Sequence, residues 1–171
     1  GTRYMINKMK LALAGAVIAT GMVSNAAYAA TEQADATVQV LAAVQLSAVT
    51  DLNFGVVAAS AAGGTVTLGA ASGATPSATG VIAISGGAPA SFQVTQATTG
   101  EVIALSVGNP TPLSNGVGAD IALSGLTLSN SSITFNSASL QTVYVGGTIS
   151  LNPNQAAGTY TGTFDVTAEY Q

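Results

Sequence analysis

Apolar and polar residues alternate with a period of two along two long stretches of this chain. In the first, every even position from Ala34 to Ala48 is apolar: Ala34, Ala36, Val38, Val40, Ala42, Val44, Leu46 and Ala48. Most odd positions between them are polar, namely Asp35, Thr37, Gln39, Gln45 and Ser47. In the second, Tyr160, Gly162, Phe164, Val166, Ala168 and Tyr170 alternate with Thr161, Thr163, Asp165, Thr167, Glu169 and Gln171. Successive side chains of a strand point to opposite faces, so each stretch predicts a strand with one apolar face.

The same reading extends along the chain. Short β-branched and aliphatic runs predict strands near 34–48, 52–58, 64–69, 80–85, 90–97, 101–107, 120–128, 132–137, 140–151 and 158–170. Gly63-Gly64, Gly86-Gly87, Asn109-Pro110, Asn115-Gly116, Gly146-Gly147 and Asn152-Pro153 punctuate them, supplying positive φ or removing a strand donor. No helical period appears after residue 30, so the expected class is an all-β antiparallel sandwich. "GGTVTLG", "GGTISLN" and "GTYTGTF" echo one another at irregular spacing, which excludes a solenoid or propeller period. The first alternating stretch is long. At ~3.4 Å per residue, Ala34–Ala48 would extend about 50 Å, against ~17–20 Å for an ordinary strand. Either it kinks between two sheets or part of it serves a neighbouring molecule.

Residues 1–29 have a different character. Lys8 and Lys10 precede an apolar run from Leu11 to Val23, and Ala27-Tyr28-Ala29 fits the small-x-small cleavage pattern of a secretory signal peptide. The run is shorter than the ~20 residues a membrane span needs. Met5 and Met9 both offer start positions, which would leave Gly1–Tyr4 as an upstream remnant. The expected domains are therefore a leader over 1–29 and one β-sandwich over 30–171.

Removing that leader changes the charge. Arg3, Lys8 and Lys10 are the only basic residues, and the chain has no His and no Cys. Seven carboxylates remain from Ala30 on: Glu32, Asp35, Asp51, Glu101, Asp120, Asp165 and Glu169. Nothing in that stretch neutralises phosphate, which argues against nucleic-acid and anionic-lipid partners. The absence of Cys removes both a disulfide staple and the acceptor for a lipoprotein anchor. Soluble surfaces commonly carry about 25–35% charged residues. A surface so poor in charge and rich in Thr, Ser, Asn, Gln and Gly can be soluble, and it suits a protein that packs against copies of itself or lives outside the cell.

Catalytic chemistry finds little footing, and the expectation is a non-enzyme. Without His or Cys there is no imidazole relay, no thiolate nucleophile and no zinc site. Asp165 and Glu169 share a strand face but stand ~13 Å apart along it, beyond the roughly 5–9.5 Å of glycosidase pairs. Asp51 with Asn53, or Asn115 with Asp120, could give oxygens to a loop calcium site, although such residues more commonly cap turns. No catalytic, metal or cofactor-binding residue is assigned on this basis.

Two quoted stretches carry a family resemblance. "DLNFG" at Asp51–Gly55 is followed by the Gly-rich "GGTVTLG", and "VYVGGTISLNPNQAAGTYTGTFDVTAEYQ" runs from Val143 to Gln171. Together they resemble a bacterial secreted domain family of unknown function, DUF4402. The architecture is also similar to pilins of the chaperone–usher type and to spore-coat-U-like proteins. In such pilins an immunoglobulin-like sandwich lacks a strand, and an alternating extension from the next subunit fills the groove. An assembly chaperone grasps the last strand, whose motif has a glycine fourteen residues from the end and a penultimate tyrosine. Gly158 and Tyr170 occupy those positions here. The N-terminal disulfide of many such pilins is missing.

The resemblance implies a secreted, pilin-like structural subunit of a fimbria, filament or coat at the cell surface, reached through the periplasm. Its implied partners are further copies of itself and a periplasmic chaperone. The donor face would be Ala34, Ala36, Val38, Val40 and Val44. The acceptor strand would present Gly158, Tyr160, Phe164, Val166 and Tyr170, with the four larger side chains turned inward. The alternative is a self-complete monomeric sandwich that binds a glycan or Ca²⁺ as an adhesion module.

Overall fold

A computed structural model describes residues 29–171. The predicted leader, apart from Ala29, lies outside the described residues. The chain divides into two units, residues 1–38 and residues 39–171. In the first, residues 29–38 form no strand and are exposed along their length.

In the second unit, β-branched and aromatic runs become strands wherever turn residues bound them. The strands are β1 Gln45–Thr50, β2 Val56–Ala58, β3 Gly64–Leu68, β4 Ser77–Thr79, β5 Ile82–Ser85, β6 Ala90–Gln96, β7 Val102–Gly108, β8 Ala122–Leu128, β9 Ser132–Thr134, β10 Thr142–Leu151 and β11 Asp165–Tyr170. The fold is all-β, with no helix among the described residues and therefore none long and apolar enough to cross a membrane. All ladders between these strands are antiparallel.

The long strand β10 organises the larger sheet, whose order is β1-β6-β10-β3-β4, with β8 also paired to β10. Along one edge of β10, β6 pairs with Thr142–Val145 and β3 with Gly147–Leu151. On the opposite edge β8 pairs with Val145–Ser150. Gly146 sits where β6 ends and β3 begins. A Cβ there would run into the Leu68 carbonyl and the Ala70 amide, so glycine is what lets the two strands share one edge. Tyr144, Val145 and Ile149 supply the β propensity that the two glycines lack.

A second, three-stranded sheet has the order β11-β7-β9, and β2 pairs with β5 in a two-stranded ribbon. Side chains from the two larger sheets meet in one core cluster. Val94 of β6 and Val143 of β10 pack with Ile103 and Leu105 of β7, Ile133 of β9, and Phe135. Val44, Leu46, Ala168 and Tyr170 close its margin. A second cluster gathers Val66, Leu68, Ile149 and Leu151 with Phe54, Val81 and Ile121. This face-to-face packing is consistent with a β-sandwich.

Most predicted strands lie where the pattern put them. Several were longer in sequence than in structure, among them 52–58, which is a strand only over Val56–Ala58, and 132–137, only over Ser132–Thr134. The 34–48 pattern forms a strand only from Gln45, because Gln45–Thr50 has β6 to pair with and residues 34–44 have no ladder. The 158–170 pattern forms a strand only from Asp165. Gly162 there comes so close to the Thr111 and Pro112 carbonyls that a Cβ would stand 3.0 Å from each. Ser77–Thr79 (β4) was not predicted at all, since "SAT" lacks the aliphatic side chains that mark a strand.

Candidate functional site

After β1 the chain continues through Asp51–Phe54 to β2. Its hydrogen bonds in this stretch go to one side. Asn53 exchanges both backbone bonds with Ala88, at 2.9 and 2.8 Å, and β2 pairs with β5. The stretch before β11 behaves alike. Ser114 and Thr161 exchange backbone bonds at 2.8 and 3.0 Å, and the Thr111 amide donates to the Thr163 carbonyl at 2.8 Å. Among the described residues neither stretch has a ladder on its other edge.

Two adjoining clefts lie along these stretches. One, of about 760 Å³, runs between Asp51–Ala59 and Gln155–Tyr160 over Leu113, Ile121, Ile149 and Leu151. The other, of about 490 Å³, runs between Ala48–Phe54 and Tyr160–Phe164 over Ala90, Phe92 and Leu123. They share Asp51, Leu52, Phe54, Leu113 and Tyr160. The lining is mainly aliphatic and aromatic, and Asp51 is its one ionisable carboxylate.

A buried amide fixes one wall. Gln155 is 8% exposed. Its Oε1 accepts from the Asn152 amide at 3.1 Å and from Asn152 Nδ2 at 2.9 Å. Its Nε2 donates to the Ala119 carbonyl and, at 3.0 Å, to the Tyr160 hydroxyl. The Tyr160 hydroxyl donates in turn to the Ala156 carbonyl at 2.9 Å. The 152–160 loop is thus tied to the 119–120 segment, and the Tyr160 ring is held where the two clefts meet. At the other end, Phe164 meets Phe92 edge-on, with centroids 6.3 Å apart and planes at 75°.

The ten residues singled out from sequence separate into three groups. Gly158, Tyr160 and Phe164 line the clefts. Val166 and Tyr170 are half-buried on β11, beyond the clefts, and Tyr170 joins Val44 at the margin of a core cluster. Ala34, Ala36, Val38 and Val40 are exposed, the two valines at 86% and 85%. Along the last stretch Tyr160, Phe164, Val166 and Tyr170 are half-buried, and their immediate neighbours in the chain are exposed.

Sequence reasoning missed the opposite wall and the floor, chiefly Leu52, Phe54, Leu113 and Gln155. Leu52 and Phe54 belong to the "DLNFG" stretch, and that was the available signal. Of the residues weighed as calcium ligands, the two asparagines cap turns. Asn53 Oδ1 accepts from the Gly55 amide at 2.7 Å, and Asn115 Oδ1 from the Val117 amide at 2.9 Å. No group of three or more His, Cys, Asp or Glu positioned to hold a metal occurs among the described residues.

Comparison with known families bears on the whole of this unit. A family model described as Domain of unknown function (DUF4402) matches residues 44–170. The chain belongs to the DUF4402 family. Neither a curated protein nor a solved structure matches it. The DUF4402 region spans every strand from β1 to β11 and both cleft walls, and it begins after the exposed 34–40 segment.

Proposed function

We propose that this DUF4402 protein is a secreted, non-enzymatic structural subunit of a bacterial surface filament or coat, and that copies join by strand complementation. In this reading the domain is an immunoglobulin-like sandwich left open along the paired clefts. The alternating segment Ala34–Val40 of one copy enters the clefts of the next. Main-chain hydrogen bonds to the bare edges supply affinity, and alternate side chains fill the apolar floor. The leader over 1–29 directs export through the periplasm, where a chaperone holds the open domain.

The observation that carries the proposal is a mainly apolar cleft flanked by two stretches, 51–58 and 160–164, whose backbone bonds go to one side and whose other edges have no ladder partner among the described residues. Such edges are a liability in a free monomer, because they template pairing with another chain. The exposed alternating segment has the matching chemistry. Eight residues, Ala34–Leu41, extend about 27 Å, and the apolar members are small enough to pass beside Tyr160. Deletion of residues 30–40 tests the reading. Purified mature protein should form SDS-resistant multimers, and the deletion variant should run as monomer. Multimers that persist after the deletion would overturn it.

A further inference from the structure

Three asparagines of this chain receive the same local bond. The Gly55 amide donates to Asn53 Oδ1 at 2.7 Å, the Val117 amide to Asn115 Oδ1 at 2.9 Å and the Ala138 amide to Asn136 Oδ1 at 2.9 Å. Each bond closes an Asx turn around the peptide unit between the asparagine and its successor. At Asn53 and Asn136 the successors are Phe54 and Ser137. At Asn115 the successor is Gly116, and this is the one Asn-Gly step in the sequence. Gly116 takes a φ of 74°, and a Cβ on it would meet nothing within 4 Å, so the space beside it is open. Its amide donates to Ser114 Oγ at 3.2 Å.

An asparagine side chain is itself an amide, open to attack by the nitrogen of the next residue. The attack needs a nucleophile within reach of Cγ, an acceptor for its proton and a donor for the charge that develops on Oδ1. Glycine removes the side chain that would hinder the approach. Ser114 Oγ stands on the Gly116 proton, and the Val117 amide stands on Oδ1.

We propose that Asn115-Gly116 is a self-modifying site, where the fold promotes closure to a succinimide and hydrolysis to aspartate. The Gly116 nitrogen bonds to Cγ and passes its proton through Ser114 to water. The Cγ–Nδ2 bond breaks, and Nδ2 takes up a proton and leaves as ammonia. Water then opens the imide at either carbonyl. Position 115 becomes an ordinary aspartate or one whose side chain has become the main chain. Water is the only co-reactant.

The site abuts the larger cleft. A Cβ on Gly158, which lines that cleft, would stand 2.8 Å from Asn115 Nδ2. Leu113 lines both clefts and exchanges backbone bonds with Ile121, and Ser114 does so with Thr161. Conversion sets a new negative charge beside Gly158. The rerouted product also adds one backbone carbon to the loop that Leu113 and Ile121 close. The modification therefore ages the cleft of each copy, whether or not a strand fills it.

The test follows the mature chain at mildly alkaline pH, folded and unfolded in urea. No Lys or Arg follows Lys10, so peptides are cut at carboxylates and read by mass and by isoaspartyl methylation. Asn115 should convert before Asn53 and Asn136. It should convert about tenfold faster in the folded chain than in the unfolded one, the worth of one well-placed hydrogen bond. Ser114→Ala should remove that acceleration and leave the unfolded rate unchanged. A folded chain that converts no faster than the unfolded chain, or a Ser114→Ala variant that keeps the acceleration, overturns the proposal. The wild-type comparison decides alone if Ser114→Ala does not fold.

Discussion

Gln155 illustrates how much one side chain carries where the described residues include no basic side chain to pair with a carboxylate. It is buried, and its amide serves four partners that hold the 152–160 wall. Replacing it with leucine keeps bulk but strands the Asn152 backbone amide and the Ala119 carbonyl. A stability loss of about 1–3 kcal/mol should follow, visible in urea titration, along with weaker multimers because the wall shifts. An unchanged midpoint would show that water replaces the amide at no cost. Ile103 tests the core in the same way. It is 0% exposed between the two larger sheets, so Ile103→Ala should cost about 2–5 kcal/mol.

Among the elements, β10 and β11 answer to different rules. β10 is paired along both edges and buried or half-buried at every position. Gly146→Val should therefore abolish the native fold outright, read as loss of cooperative thermal unfolding, because the Leu68–Ala70 backbone has no room to yield. β11 is an edge strand of its sheet and alternates exposed with half-buried residues. That alternation was legible in the sequence, as were β3, β6, β7 and β8, because one buried face leaves a period of two. The cleft was only half legible. Its Tyr160–Phe164 wall carries the pattern, whereas Leu52, Phe54 and Leu113 lie in irregular backbone and line a surface that no periodicity announces. The hydrogen bonds of Thr98 and Tyr170 to Ala42 were illegible for another reason, since these three residues meet only through tertiary folding.

At the scale of the whole molecule, charge and composition bear on the proposed assembly of copies. From Ala30 on there are seven carboxylates and no basic side chain. In the proposed assembly every approach between copies is therefore between like-charged side chains, with Asp35 on the donated segment and Asp51 in the cleft wall. Salt shortens the Debye length from ~30 Å at 0.01 M to ~8 Å at 0.15 M, so assembly should speed up with ionic strength in light-scattering kinetics. A rate that falls with salt would point to a cationic partner instead. The same composition leaves trypsin no site after Lys10, and denatured mature protein should survive digestion uncut.

The central claim is that the cleft accepts an alternating segment supplied from outside its own domain. It is tested most directly by adding a synthetic peptide of residues 30–41 to the protein lacking residues 30–40. Saturable binding at one peptide per domain is predicted. At a hundredfold excess over Kd it should stabilise the domain by ~2.7 kcal/mol, a rise in Tm of about 10 °C for a chain of this size. A peptide of the same composition with the alternation scrambled should do nothing. A Tm unmoved by the native peptide, or moved equally by the scrambled one, would contradict the account.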